Sequence, residues 1–410
     1  MTVNDTSSVP ARPTFKEALR FWIKLGFINF GGPTGQIAIM NTELVEKRRW
    51  ISQDRFLHAL NYCMLLPGPE AQQLAIYIGW LLHGTWGGIV AGAFFVIPSI
   101  FIMLALSWIY AAYGNVPAIL AAFYGLKPVV TAIVLAATIQ IGRRALKNEI
   151  MFGVALLSFV AIYFFRYPFP AIILSAAAVG YAGGRLWPDK FYVIRPHGGQ
   201  GDDAVVSDRF EPEHRRPSLS WALKVILVCG ALWALPIIGT ALWRGTDDTL
   251  FRISIFFSKA ALVTFGGAYA VLTYITQAAV DYYGWLYPGQ MLDGLGLAET
   301  TPGPLIMVTQ FVGFLAAWQT IFDLPPLAAG IFGAVITTWV TFTPCFLWIL
   351  LGAPFIERLR GNVSLTSALS AITAAVVGVI LNLAFFLAGT FFSRLRARSS
   401  GPVWMVRRSS

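Results

Sequence analysis

Between Phe56 and Gly142 the chain carries only two Asp, Glu, Lys or Arg side chains, Glu70 and Lys127. Between Ile253 and Ile356 it carries five, Lys259, Asp281, Asp293, Glu299 and Asp323. Within these runs, stretches such as 86–110 and 327–351 are long enough to cross the roughly 30 Å hydrocarbon core of a bilayer. Over 410 residues, 57% are hydrophobic and 12% charged, about half the charge that a water-soluble surface requires, so a soluble globule is excluded. The expected fold class is an all-α polytopic membrane protein.

The net charge of +10 does not point to nucleic acid. Its Lys and Arg sit in tails and short loops (Lys47, Arg48, Arg49; Arg143, Arg144, Lys147; Arg394, Arg396, Arg398; Arg407, Arg408), which suits anionic lipid and topology signals. Cys63, Cys229 and Cys345 stand singly in apolar segments, without a CxxC pair or a His at ligand spacing, and read as small buried hydrophobes. The first residues lack the charged and apolar regions of a cleaved signal peptide. No metal and no cofactor are expected.

A shift of 235 positions superposes Lys24 on Lys259, Phe30-Gly31-Gly32 on Phe265-Gly266-Gly267, Trp50 on Trp285 and Pro67-Gly68-Pro69 on Pro302-Gly303-Pro304. At a slightly larger shift Pro98 meets Pro344 and Gly114-Asn115 meets Gly361-Asn362. These are clusters of rare residue types, and the chain reads as an internal duplication. The expected organisation is an N-terminal tail (1–14), a first repeat (15–144), two additional helices (145–186), a polar linker (187–217), a connecting helix (218–243), a second repeat (251–392) and a basic tail (393–410).

The FGG and PGP motifs cut their apolar regions into pieces of roughly 12 to 15 residues, short for a full span and suited to half-helices or re-entrant hairpins. If both broken regions of a repeat enter and leave on one side, five full crossings separate the copies, and an odd number inverts the second. The basic loop ELVEKRRWISQDR then faces the cytoplasm, while its counterpart QAAVDYYGWLYPG, without Lys or Arg, faces away. The five arginines of the C-terminal tail run against this count.

Proline removes an amide donor and glycine accepts unusual backbone angles, so FGGP and LPGP at membrane depth break helices and free backbone polar groups. Such groups are tolerated only where protein or a watery cavity satisfies them, which is why interrupted helices mark transporter binding sites. Pro33 and Pro69 suit the first helical position, placing new N-termini near Thr34–Gln36 and Glu70–Gln72. Converging N-termini, two per copy, would offset a dianion with their open N–H groups and partial positive charge, while each preceding half-helix ends with the opposite partial charge, so that orientation decides. The alternative is that the breaks are kinks that aid close packing.

Lys24 and Lys259 each stand six residues before FGG, as anion-attracting residues or, for Lys24 with Arg20 and Lys16 behind it, as snorkelling ones. The candidate substrate-binding set is Lys24, Asn29, Gly31, Gly32, Thr34, Gln36, Gly68, Gln72, Gln73, Lys259, Gly266, Gly267, Thr300, Thr301 and Gly303, with helix breaks at Pro33, Pro67, Pro69, Pro302 and Pro304. Asn61 and Gln310 are further polar groups near the breaks, and for any single polar residue a helix–helix hydrogen bond is the commoner role. Glu70 follows PGP at a helix N-terminus, which favours its charge; Glu299 precedes a break at a helix C-terminus, which disfavours it. Glu299 is the preferred proton-coupling candidate, ahead of Asp293 and Glu70. Its bland alternative is a carboxylate paired with a base such as Lys259. No Walker, HExxH, GxSxG or Rossmann motif is present, which leaves a secondary transporter rather than an enzyme.

The strings FGGPTGQIAIMNTELVEKRRWIS and LPGPEAQQLAIYIGWLLHG in the first half, with TFGGAYAVLTYI and LAETTPGPLIMVTQFVGFLAA in the second, resemble the chromate ion transporter family in its long two-domain form. The resemblance covers nearly the whole chain outside the tails and linker. It implies a bacterial inner-membrane protein that exports chromate from the cytoplasm on the proton-motive force, with two homologous halves in opposite orientation. The motif positions it carries over are 30–36, 67–73, 265–267 and 301–304. Copy 2 departs from the pattern at Ala268, where copy 1 has proline, and at Leu305, where it has Glu70, so unequal halves are expected. Sulfate is the rival substrate, being a tetrahedral oxyanion of the same charge. A passive anion pathway is the rival mechanism and an intramembrane reductase a weaker one; the assembly, homodimer included, is open.

Overall fold

The helix-breaking motifs separate helices in the computed structural model, which describes residues 12–191, 218–265, 267–355 and 363–399. In the first repeat, a capping box between Thr14 and Glu17 opens α1 (Phe15–Ile28), and Pro33 stands in the first turn of α2 (Gly32–Asn41). A π-helical turn (Thr42–Lys47) follows, then α3 (Gln53–Leu65), α4 (Glu70–Tyr113) and α5 (Pro117–Ala145). Between the repeats lie α6 (Glu149–Phe165), α7 (Phe169–Leu186), the short α8 (Pro188–Phe191) and α9 (Leu219–Arg244). The second repeat comprises α10 (Thr249–Leu262), α11 (Ala268–Thr276), a π-helical turn (Gln277–Tyr282), α12 (Pro288–Thr300), a 3-10 turn (Leu305–Met307), α13 (Val308–Thr320), α14 (Pro326–Gly352) and α15 (Val363–Ser399). No strand occurs among the described residues.

The duplication is present in the backbone. A shift of 235 residues carries the π-helical turn Thr42–Lys47 onto Gln277–Tyr282 and α3 onto α12, end for end. Side-chain contacts repeat with it. Phe21 meets Trp50 edge-on at 5.5 Å and Phe256 meets Trp285 at 5.8 Å. Arg48 lies 5.0 Å from both Phe21 and Trp50, and its counterpart Tyr283 stacks on Trp285 at 4.1 Å.

Six helices among the described residues are long and apolar enough to cross a membrane. The longest, α4, is two pieces. His83 and Gly84 leave helical angles, with Gly84 at φ 64°, so residues 70–82 (α4a) fold back on residues 85–113 (α4b). Gly79 and Gly87 lie backbone to backbone, and Gly88 packs on Ile76. The second repeat does the same with two helices, Gly313 of α13 lying against Gly333 and Thr337 of α14. Small residues permit this approach, and close packing of backbones substitutes for the hydrophobic drive that lipid cannot supply.

The PGP breaks are reversals as well. The rings of Tyr62 in α3 and Tyr77 in α4a are 6.1 Å apart, where a straight helix would separate them by about 22 Å. In the second repeat Gly294 of α12 abuts the ring of Phe311 in α13. Each repeat therefore carries a re-entrant pair at PGP, as the short apolar pieces implied.

The equivalent helices α4b and α14 run antiparallel. Gln310 donates to the Ile100 carbonyl of α4b at 2.9 Å and accepts from Thr338 of α14 at 3.2 Å, while Gly92 of α4b packs on Phe346 of α14. Residue numbers fall along one helix as they rise along the other. The α9 helix lies antiparallel to α14, with Trp221 reaching the Leu350 carbonyl and Trp339 the Leu232 carbonyl. At the far end of α9, Arg244 grips Asp323 in the α13–α14 loop through two hydrogen bonds of 2.6 and 2.8 Å, which hold that carboxyl below the usual aspartate range.

The hairpin packing leads to a stability expectation. A Cβ at Gly313 would meet the Gly333 carbonyl at 2.7 Å, whereas one at Gly239 on α9 meets nothing. Gly313→Val should lower the thermal unfolding midpoint of the purified protein, consistent with an overpacking cost of about 1–3 kcal/mol. Gly239→Val should leave the midpoint unchanged.

Candidate functional site

The four breaks meet through two reciprocal backbone hydrogen bonds. The Gly68 N–H, in the first PGP, donates to the carbonyl of Thr264, just before the second FGG, at 2.8 Å. The Gly303 N–H, in the second PGP, donates to the carbonyl of Asn29, just before the first FGG, also at 2.8 Å. Gly68 corresponds to Gly303 and Asn29 to Thr264 under the repeat, so each half closes the other's break. Both glycines hold left-handed backbone angles, φ 124° and 120°, that side chains rarely adopt. Each faces the residue after an in-helix proline of the opposite half. Gly303 lies on Ser99, and a Cβ at Gly68 would stand 2.9 Å from Cys345 Sγ.

Side chains reinforce the junction. Gln36 donates to the Gly303 carbonyl at 2.6 Å, Gln73 to the Pro67 carbonyl at 2.8 Å and Gln72 to the Gly92 carbonyl at 3.3 Å. Glu70, at the N-terminus of α4a, reaches Gly267 at the N-terminus of α11, and Gly32 at the start of α2 faces the Tyr269 hydroxyl. Tyr269 in turn donates to Glu299 at 2.6 Å. Three helix N-termini and two carboxylates thus share one region. Several buried polar atoms there have no protein partner, namely both amide atoms of Asn29 and the oxygens Gln72 Oε1, Gln73 Oε1 and Ser99 Oγ. Asn29 is fully buried. Unpartnered polar atoms at this depth are costly, and they supply the donors and acceptors a polar solute requires.

Of the residues singled out in the sequence, Asn29, Gly32, Gln36, Gly68, Pro69, Gln72, Gln73, Gly267, Gly303 and Pro304 are buried at this junction, and Pro33, Pro67, Glu70, Glu299, Thr301 and Pro302 are half-buried beside it. Gly31, Thr34 and Thr300 are exposed, and Gly266 lies outside the described residues. Thr300 and Thr301 donate their hydroxyls to carbonyls of their own helix. Lys24 and Lys259 are exposed on α1 and α10. Glu299 has Tyr269 as its hydrogen-bond partner where the sequence offered Lys259. Asp293 stands apart from the breaks, with Lys127 at 3.2 Å and the Tyr110 hydroxyl at 2.9 Å.

Sequence reasoning missed Ser99, Tyr269 and Lys127 as polar groups of the interior. Ser99 follows Pro98 as Cys345 follows Pro344, so the repeat carried that signal, and Tyr269 corresponds to Thr34 under the 235-residue shift.

A duplicated helical membrane protein whose interrupted segments converge on unpartnered polar groups has the build of a multi-pass transporter. The chain belongs to the chromate transporter family, whose sequence model matches residues 16–181 and 251–406. It is similar to a chromate transport protein of Pseudomonas aeruginosa, 32% identical over 382 residues covering 92% of this chain and 81% of the relative. It is 27% identical to a probable chromate transport protein of Synechococcus elongatus over 90% of this chain and 83% of the relative. A chromate transport protein of Cupriavidus metallidurans is 27% identical over 93% of this chain and 85% of its own length. No solved structure matches.

The junction makes its own stability expectation. Gly303→Ala should lower the unfolding midpoint through both the contact with Ser99 and a left-handed backbone cost of about 1–2 kcal/mol. Adding Ser99→Gly should recover only part of the loss, since it removes the contact and leaves the backbone strained.

Proposed function

We propose that this protein is a secondary active carrier that exports chromate from the cytoplasm across the bacterial inner membrane, driven by the proton-motive force, and so confers chromate resistance. The observation that carries this reading is the meeting of all four breaks at the Gly68–Thr264 and Gly303–Asn29 hydrogen bonds. A tetrahedral dianion needs several N–H donors and a positive field without a fixed counter-ion. Converging helix N-termini and the Asn29 amide supply them. The antiparallel course of α4b and α14 supports two halves inverted in the membrane, the arrangement suited to alternating access around a fixed central site. The chromate transport proteins among the relatives support chromate over sulfate, which the same donors would also recognise.

Glu299 is the coupling group in this reading. It is half-buried at the end of α12, its Tyr269 hydrogen bond ties it to the start of α11, and no lysine or arginine is paired with it among the described residues. Glu70, across the junction at a helix N-terminus, is the second carboxylate of the site.

Reconstituted liposomes with labelled chromate and an imposed proton gradient test the proposal. Wild-type protein should accumulate chromate against its gradient, with sulfate as a competitor. Glu299→Gln should abolish accumulation while retaining chromate exchange. Asn29→Ala should raise the half-saturating chromate concentration about tenfold, consistent with one lost hydrogen bond of roughly 1–1.5 kcal/mol. Absence of chromate flux in wild type would overturn the reading. Full proton-driven accumulation by Glu299→Gln would remove that residue from coupling.

A further inference from the structure

Outside the junction, a buried ionic cluster stands unused. Lys127 of α5 lies 3.2 Å from Asp293 of α12, and Tyr110 of α4b donates to the other Asp293 oxygen at 2.9 Å. Among Lys24, Lys127 and Lys259, Lys127 alone is buried. Ionised side chains within a membrane span are expensive and are retained where ions or substrates move. The pair is nevertheless not sealed, since the lysine and aspartate side chains keep 10% and 7% of their surface accessible.

The position is informative. Gly296, one turn beyond Asp293, lets α12 close against Leu126 and Val130 of α5, and α12 runs directly from this pair into Glu299 and the PGP break. The pair is also one-sided. His58 occupies the position of Asp293 in the first repeat, and the stretch of α15 corresponding to the Lys127 region, 371–376, has no ionisable side chain.

We propose that Lys127 is an anion-receiving residue on the path between the junction and the face from which α12 enters. In the substrate-free state Asp293 holds its ammonium group. A doubly charged oxyanion leaving or approaching the junction displaces that carboxylate, which loosens α12 from α5 while the anion passes. The Tyr110 hydroxyl keeps Asp293 oriented during the exchange, and Lys127 returns to it when the anion departs. This inference rests on the oxyanion-carrier reading and names a second station for the same solute.

The test uses the full chain, purified for equilibrium binding of labelled chromate and labelled sulfate and reconstituted for flux. Lys127→Met should weaken binding of both anions at least tenfold, and Lys127→Arg should largely retain it. Asp293→Asn frees the ammonium from its competitor and should tighten binding several-fold, an effect that a purely structural ion pair would not produce. The double variant Lys127→Met/Asp293→Leu replaces the pair by apolar groups and should regain the wild-type unfolding midpoint without regaining binding or flux. Recovery of binding and flux by the double variant, or unaltered binding in Asp293→Asn, would overturn the proposal. Wild-type flux combined with unaltered binding in Lys127→Met would refute this inference alone, whereas absence of wild-type flux would refute the carrier reading.

Discussion

A peptide group freed by a helix break in hydrocarbon must find a partner, and here each half of the molecule provides the partner for the other. Gly68 donates to Thr264 and Gly303 donates to Asn29. Each bond adds a modest net stabilisation, about 1 kcal/mol by the usual exchange with water. Leaving the same donor unpaired at membrane depth would cost several kcal/mol. Neither repeat therefore completes its breaks alone, since each takes its backbone partner from the other. The rest follows from it: re-entrant pairs must reach the same depth, α4b and α14 must present Ser99 and Cys345 to the opposite glycines, and small residues must let the hairpins close.

Symmetry of the backbone coexists with asymmetry of the side chains at the junction. Glu70 begins α4a, while Glu299 sits near the end of α12, and Met64 and Leu305 take their places in the other repeats. One carboxylate thus faces a favourable helix dipole and the other an unfavourable one, although both border the same junction. Ala268 and Leu305 remove the proline and the glutamate from the second copy's motifs. A symmetric scaffold thus brackets the junction with unequal carboxylates.

Much of this was legible in the sequence because the breaks are made of residues with no substitute. The motifs around Gly31 and Gly68, and their copies 235 positions on, predict the duplication and the half-helices. The full spans 86–110 and 327–351 lie within α4b and α14. Tertiary partnerships were not legible. Gln36, Gln72 and Gln73 read as substrate ligands, yet their amide groups fasten the junction. Lys24 and Lys259 read as anion-attracting residues, with snorkelling the alternative for Lys24, and which face of its helix each occupies was not visible in the chain; both lie on exposed faces. Lys127 was visible as one of two ionisable groups in a long apolar run, but its partner lies 166 residues away on a helix of the other repeat.

The most direct measurement is an experimental density map of the full chain in lipid nanodiscs, recorded with and without a saturating oxyanion. The Gly68 and Gly303 amides should lie about 3 Å from the Thr264 and Asn29 carbonyls, with oxyanion density beside Asn29, between the starts of α2, α4a and α11. Four breaks separated from one another, or turned toward the acyl chains with the anion bound elsewhere, would contradict it.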